Sequence, residues 1–289
     1  MSHILDGKLI AQQFAETLRS EVAQMPEPPK LALINVFGNA ASEVYLRNKR
    51  RLAEKIGILS ETHTLDADVS AARLCDVIAS VNANPGVHGI ILQLPIPRHL
   101  GPAVAFSNMI SPEKDVDGLT LINQGRLFCG EDGLKPCTPM GVLHLLRSVH
   151  SSLDGLCVAV LGRSAIVGRP LAALLTQNNA TVTVLHSRSR NIRAHCAEAD
   201  IVISAVGHPH FVADNTWVRE GATVIDVGIS RLPDGKITGD VNFDAVSSRC
   251  AHITPVPGGV GPMTVVYLMH NTIRAYLRQH NLKIGRAHV

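Results

Sequence analysis

Residues 156–187 read LCVAVLGRSAIVGRPLAALLTQNNATVTVLHS, and no stretch constrains the fold more. A β-branched apolar run too short for a buried helix gives way to a glycine turn. An amphipathic segment of helix length follows, and then a second β-branched run. Strands alternating with helices form the pattern of a parallel sheet, in which each helix is the crossover between neighbouring strands. The helical AHCAEA and the runs DIVISAVG and TVIDVGI extend the series. The spacing therefore predicts a nucleotide-binding βαβ succession on a parallel sheet. The same alternation occurs upstream: a helix over 7–24, the run LALINVF, a helix ending near Gly57, a helix around 70–83, and GIILQLPIP closed by prolines. The fold class is α/β in two domains, an N-terminal one over 1–140 and a Rossmann-like one over 141–262. A long terminal helix over 263–289 completes the chain, and nothing in its own pattern assigns it to either domain.

The glycine turn departs from the dinucleotide fingerprint. GxGxxG asks for glycine at 162, 164 and 167, whereas this chain has Gly162, Ser164 and Val167. Its setting, strand then turn then helix, still offers helix N-terminal N–H groups to a pyrophosphate. The end of the second strand discriminates better. An NAD site places a carboxylate there for the ribose 2′-hydroxyl, but residues 186–190 read HSRSR. Hydroxyls and guanidinium groups, with Arg163 on the turn, suit a 2′-phosphate, so NADP is favoured over NAD. An ordinary polar strand end is the alternative.

Composition narrows the function. The 289 residues carry a net charge of only +3 with His neutral, the basic residues are scattered, and aromatics make up 3%. That argues against nucleic acid as a partner. The six cysteines are widely spaced without a CxxC pair, and the fourteen histidines include no HExxH, so neither a disulfide framework nor a metal site is expected. MSHILDGKLI lacks the apolar region of a signal peptide, and the apolar runs are strand-length, so the expectation is a cytoplasmic protein without a membrane span.

Residues 42–51, SEVYLRNKRR, pose a sharper question. At helical spacing Tyr45, Lys49, Leu52, Ala53 and Ile56 share one stripe, while the arginines and Lys55 lie off it. Lys49 stands where the pattern asks for an apolar residue. Periodicity leaves it either snorkelling at a rim or present for chemistry.

Taken together, SEVYLRNK, GIILQLPIP, SPEKDVDGLTLINQGRL, PCTPMGV, VLGRSAIVGRPLAALL, ADIVISAVG, GATVIDVGI and ITPVPGGVGPMTV resemble, in order and over nearly the whole chain, the bifunctional methylenetetrahydrofolate dehydrogenase/methenyltetrahydrofolate cyclohydrolase (FolD) family. The resemblance implies two α/β domains with a cleft between them, the last helix packed back on the first, and a homodimer. It implies two successive reactions on tetrahydrofolate substrates: NADP-dependent oxidation of the 5,10-methylene form to the 5,10-methenyl form, then hydrolysis to the 10-formyl form. By motif it makes Lys49 the catalytic lysine, Tyr45 a stacking residue, Gln93 the lysine's partner and Asp117 the holder of the pterin. Ser42, Leu92, Leu94 and the loop with Pro255, Pro257, Gly258, Gly259, Val260 and Met263 would line the folate site. Gly162, Arg163, Ser164, Ser187 and Ile229 would contact NADP. Ser189, Ser230 and Asn242 depart from the family's usual residues at their positions, none of them in the catalytic set.

The chemistry accommodates these residues. Hydride loss releases no proton, so the protein's task in that step is alignment. Hydration of the methenyl carbon needs a general base titrating near the working pH. Burial and a cationic substrate would both disfavour the lysine ammonium, and a neutral Gln93 would not restore it. Asp115 and Asp117 have the same chemistry; spacing does not separate them, the motif selects Asp117, and Asp115 is expected to cap the turn before GLT. The alternatives are a related NAD(P) dehydrogenase acting on another metabolite and a nucleotide-binding regulator with a dead site. Intact Tyr45, Lys49, Gln93 and Asp117 argue against the first, and the retained Lys49 and PGGVGP loop argue against the second.

Overall fold

The computed structural model describes residues 3–36 and 40–282, with residues 40–45 described in backbone only. In chain order its elements are β1 (His3–Ile4), α1 (Gly7–Val22), β2 (Lys30–Val36), α2 (Ala40–Ile56), β3 (Leu59–Leu65), α3 (Ala71–Ala83), β4 (Gly89–Leu92), α4 (Ala103–Ser107), α5 (Leu121–Cys129) and α6 (Cys137–Arg147). Then come β5 (Cys157–Leu161), α7 (Gly168–Thr176), β6 (Thr181–Leu185), α8 (Ile192–Glu198), β7 (Ile201–Ser204), β8 (Thr223–Asp226), β9 (Ser230–Arg231), β10 (Ile237–Thr238), α9 (Phe243–Ser247), β11 (His252–Ile253) and α10 (Val260–Gln279).

Two compact units result. One comprises residues 13–137 with 265–289, the other residues 1–12 with 138–264. The first is built on a parallel three-stranded sheet in the order β3-β2-β4. Its middle strand is buried at nearly every position, as a strand covered on both faces must be, whereas β3 at the edge alternates with solvent. Leu31, Leu33 and Ile34 are fully buried, and each contributes about 1.5–3 kcal/mol by leaving water. Helix α3 starts at Ser70, whose hydroxyl accepts from the Arg73 N–H. Helix α5 starts in the same way at Thr120. Within this unit α10 buries Val266, Tyr267, Ile273 and Tyr276. Its Asn271 amide donates to the Val116 and Lys135 carbonyls, and its Gln279 amide to the His88 carbonyl. The terminal helix thus packs on the N-terminal sheet unit.

The second unit carries a six-stranded parallel sheet in the order β1-β11-β8-β7-β5-β6. Strands β7 and β8 are buried throughout, while β6 at the edge alternates, and this matches their sequence patterns. Residues 1–12 cluster with this unit. The reason is β1: His3 and Ile4 pair with His252 and Ile253, a partnership across the whole chain that no local pattern encodes. Among the described residues no helix is long and apolar enough to cross a membrane.

Candidate active site

Helix α2 turns its stripe inward as its spacing requires. Leu46, Ala53 and Ile56 are buried, while Arg47, Arg50, Arg51 and Lys55 are exposed. Lys49 is half-buried between these faces. Its Nζ donates to the Gln93 Oε1 at 2.9 Å. Gln93 follows β4, where its backbone N–H donates to the Ile34 carbonyl at 2.8 Å, continuing the sheet ladder beyond the strand. Its Nε2 donates to the Leu94 carbonyl at 2.7 Å, so the amide oxygen is the end offered to the lysine. Leu92 is buried beneath, and Leu94 is half-buried. Burial pushes the Lys49 amine below its ordinary value, while the negative charge of Asp117 and the nearby Cys137 act in the opposite sense. Of the catalytic residues expected from sequence, Lys49, Gln93 and Asp117 lie in the same unit. The side chains of Ser42 and Tyr45 lie outside the described residues.

The two aspartates of KDVDG divide their roles. Asp115 is buried, and its Oδ1 accepts from the Leu119 N–H while its Oδ2 accepts from the Thr120 N–H and the Asn123 amide. It is a capping residue. Asp117 accepts no hydrogen bond among the described residues, and its carboxyl is pushed up to about 6, first by burial and then by Asp115, with Lys49 opposing.

Two neighbours went unnoticed in the sequence. Cys137, which falls in the PCTPMGV stretch, opens α6, and its thiol donates to the Val116 carbonyl at 3.2 Å. Burial and Asp117 push that thiol well above its ordinary value, so it stays protonated. Asn271 links the carbonyls flanking this region, as noted above. Its signal is the run His270-Asn271-Thr272, three polar residues after the largely apolar first half of the helix, all of them buried.

In the other unit, β5 runs into the glycine turn. Gly162 has φ +110°, and a Cβ there would meet the Ala205 carbonyl oxygen at 2.4 Å. A Cβ on Gly168 would meet the Gly162 carbonyl oxygen at 2.1 Å. The close-packing glycine of the fingerprint is therefore Gly168, one position later than the regular spacing. The Ser164 hydroxyl accepts from the Val167 and Gly168 N–H groups at 3.2 and 3.4 Å. Two of the N–H donors expected for a pyrophosphate are thus already answered by the turn itself. Arg163, Ser164, Ser187 and Arg188 are exposed, as is Ile229 beyond β8. With guanidinium groups and hydroxyls but no carboxylate at the end of β6, the turn fits a 2′-phosphorylated dinucleotide. The loop from Pro255 to Met263 belongs to this second unit, with Pro257 exposed, Pro255 and Gly258 half-buried, and Gly259, Val260 and Met263 buried. The Gly258 carbonyl accepts from the Lys8 N–H at 2.8 Å, which ties the loop to the start of α1. Among the described residues no three His, Cys, Asp or Glu side chains are grouped to hold a metal ion.

Residues 5–117 match the model of the tetrahydrofolate dehydrogenase/cyclohydrolase catalytic domain, and residues 136–280 match that family's NAD(P)-binding domain. The chain belongs to the tetrahydrofolate dehydrogenase/cyclohydrolase family. Among its relatives in that family, the bifunctional protein FolD of Gluconobacter oxydans is 48% identical over 280 residues, 94% of this chain and 91% of the relative. The crystal structure of the Campylobacter jejuni FolD methylenetetrahydrofolate dehydrogenase/cyclohydrolase superposes with a TM-score of 0.92 at 38% identity, covering 96% of this chain and 99% of that one. The Trypanosoma brucei dehydrogenase-cyclohydrolase, solved with NADP and an inhibitor, gives 0.89 at 37% identity, covering 96% and 98%. The Lys49 surroundings described above fall within and beside the family's catalytic domain, and the Gly162 turn falls within its NAD(P)-binding domain.

Proposed function

We infer that this family member is a bifunctional one-carbon enzyme: it oxidises 5,10-methylenetetrahydrofolate to the 5,10-methenyl form with NADP and hydrolyses that product to 10-formyltetrahydrofolate. The observation that carries the hydrolytic half is an amine held by a neutral partner: Lys49 Nζ on the Gln93 amide oxygen, with burial favouring the uncharged form. NADP, when bound, supplies the hydride acceptor; Gly162, Arg163, Ser164, Ser187 and Ile229 are the residues we assign to holding it. In the oxidation the folate-side residues have no proton to remove. Their work is to hold the pterin, which we assign to Asp117, with Ser42, Tyr45, Leu92, Leu94 and the loop Pro255, Pro257, Gly258, Gly259, Val260 and Met263 as further substrate contacts.

In the hydrolysis, water adds to the methenyl carbon and gives a proton to the free amine of Lys49. The hydroxyl on that carbon then gives up its proton and becomes the formyl carbonyl as the bond to N5 breaks, N5 takes up a proton, and the formyl group remains on N10. Gln93 orients the amine without adding charge, so it does not favour the ammonium that would repel the cationic substrate. Asp117 pulls the lysine back toward the charged form, and at a folate site that pull weakens wherever the carboxylate is engaged by donors along the pterin edge. A homodimer and a cytoplasmic location belong to the same proposal, on the strength of the family's general pattern.

The test is an absorbance assay on wild type and Lys49→Met, with methylenetetrahydrofolate and NADP or NAD, and with methenyltetrahydrofolate alone. The expected result is NADP-dependent oxidation in wild type and, in the variant, a loss of hydrolysis of about 10²- to 10⁴-fold, the usual contribution of a general base. Undiminished hydrolysis in Lys49→Met removes the lysine as the base. A preference for NAD overturns the assignment of Arg163 and Ser187.

A further inference from the structure

At the carboxyl ends of β7 and β8 two buried aspartates have no part in the chemistry described so far. Asp240 is fully buried. Its Oδ2 accepts from the Ser204 hydroxyl at 3.1 Å, the Val206 N–H at 2.7 Å and the Gly207 N–H at 3.2 Å, and its Oδ1 accepts from the His208 N–H at 2.9 Å. Three successive N–H groups directed at one carboxylate form a nest of the kind that binds anions. Here the anion is a side chain of the protein itself. Asp226 continues the clasp: its Oδ1 accepts from the Gly228 and Asp240 N–H groups at 2.9 and 3.0 Å, and its Oδ2 from the Val241 N–H at 2.8 Å. Its own N–H donates to the Thr254 hydroxyl at 2.8 Å.

The packing leaves no slack. A Cβ on Gly228 would lie 2.2 Å from the Asp240 Oδ1, and one on Gly239 would lie 1.9 Å from the Asp226 Oδ2. The clasp therefore fixes four backbone segments to one another: residues 204–208 after β7, residues 226–228 after β8, residues 240–241, and Thr254 before the Pro255 loop.

Its location gives the clasp a consequence. Strand β5 has β6 on one side and β7 on the other, so the chain order reverses at β5. Open α/β sheets bind ligands in the crevice at such a point, outside the carboxyl ends of the strands. One wall of that crevice is the Gly162 turn; the other is the segment after β7, whose Ala205 carbonyl abuts Gly162. Asp240 holds this second wall from behind, with both of its oxygens engaged by protein donors. We propose that Asp240 is a positioning residue for the cofactor, setting residues 205–208 against the Gly162 turn and, through Asp226, fixing the turn that carries Ile229. The inference deepens the assignment of NADP to this unit and rests on it.

Asp240→Asn turns one of the two acceptor oxygens into an NH₂ that faces protein donors, and Ser204→Ala removes one donor only. The measurements are NADP affinity by titration calorimetry, hydrolysis of methenyltetrahydrofolate without cofactor, and the thermal midpoint. Asp240→Asn is expected to weaken NADP at least about tenfold, and Ser204→Ala about two- to fivefold, in line with the loss of a charge-assisted hydrogen bond network and of a single bond. Cofactor-free hydrolysis is expected to stay within about twofold of wild type in both, since the ring-opening step needs no dinucleotide. A folded Asp240→Asn protein that binds NADP like wild type overturns the proposal. So does hydrolysis that falls in step with NADP affinity, the mark of a residue that only holds the fold together. If Asp240→Asn does not fold, Ser204→Ala decides, and unchanged NADP affinity there counts against the proposal. A wild-type chain that binds NADP but does not hydrolyse the folate would refute the hydrolytic assignment while leaving the clasp testable by calorimetry alone.

Discussion

Asp117 and Asp226 are each pushed up to about 6, in both cases chiefly by burial, yet they are opposites in company. Asp226 is answered by three backbone N–H groups and ends in a rigid clasp. Asp117 accepts no hydrogen bond among the described residues and has a lysine as its opposing charge. A carboxylate whose lone pairs are used inside the protein is scaffold; one withdrawn from water with its oxygens uncommitted is kept for something that arrives later. Lys49 follows the same rule as Asp117, with one neutral partner and burial working against its charge. The perturbed titration of a group therefore marks burial in both places, and its hydrogen-bond partners distinguish the site from the frame.

The sharpest way to break this contrast is to remove each carboxylate in turn. Asp226→Ala leaves three backbone N–H groups buried without acceptors, each costing about 1–3 kcal/mol. The expected loss is about 3–9 kcal/mol, read as a large drop in the urea midpoint or as failure to accumulate folded protein. Asp117→Asn should leave the fold intact. If both variants lose stability equally, satisfaction is not what separates the two positions.

Asp117→Asn also carries a pH signature. The Asp117 carboxyl is raised in the folded chain from 3.8 to about 6, so the folded state holds its proton more tightly than the unfolded state does. Its contribution is fully present below the unfolded value near 3.8 and is lost as pH rises through about 6. At pH 7.5 the ionised group is a liability, worth at most about 3 kcal/mol for a shift of this size and about 1–2 kcal/mol after the solvent reaching a half-buried side chain is allowed for. Urea unfolding at pH 7.5 should show Asp117→Asn more stable than wild type by about that amount, with the gap closing by pH 4, while its KM for the folate rises. A variant less stable at pH 7.5 would make Asp117 a structural residue after all.

How much of this was legible in the sequence follows from the range of each interaction. Parallel strands buried on both faces and the inward stripe of α2 are local periodicities, and both appear in the structure where the pattern put them. The pairing of His3 and Ile4 with His252 and Ile253 is not local, and no turn or period announces it. Gly168 sat one place beyond the fingerprint, visible as a glycine but outside the spacing. Lys49 stood out as a charge on an apolar stripe. Gln93 and Asp117 were singled out by resemblance to a family, because a lone glutamine after a strand and one of two equivalent aspartates have no spacing of their own. The Asp240 clasp left no trace because most of its donors are backbone N–H groups, which every residue but proline possesses.

The smallest effect tests the other half of the contrast, the neutrality of the lysine's partner. In Gln93→Glu the side chain keeps its length and an acceptor oxygen for Lys49, so the amine stays placed. The substitution adds a negative charge where the structure has an amide dipole, favouring the ammonium and reinforcing the pull of Asp117. It also sets a second carboxylate oxygen against the Leu94 carbonyl, which now accepts from the amide. Less of the free amine is then available near neutrality. Hydrolysis of methenyltetrahydrofolate at pH 7.5 should fall about tenfold, the rate equivalent of about 1.4 kcal/mol, and recover as the pH is raised. Oxidation of the methylene substrate, which asks no proton of Lys49, should fall less. The decisive reading is the pH profile of hydrolysis: an alkaline shift of its ascending, low-pH limb is expected, and a uniform loss at every pH would mean that Gln93 only positions the amine and has no influence on its charge.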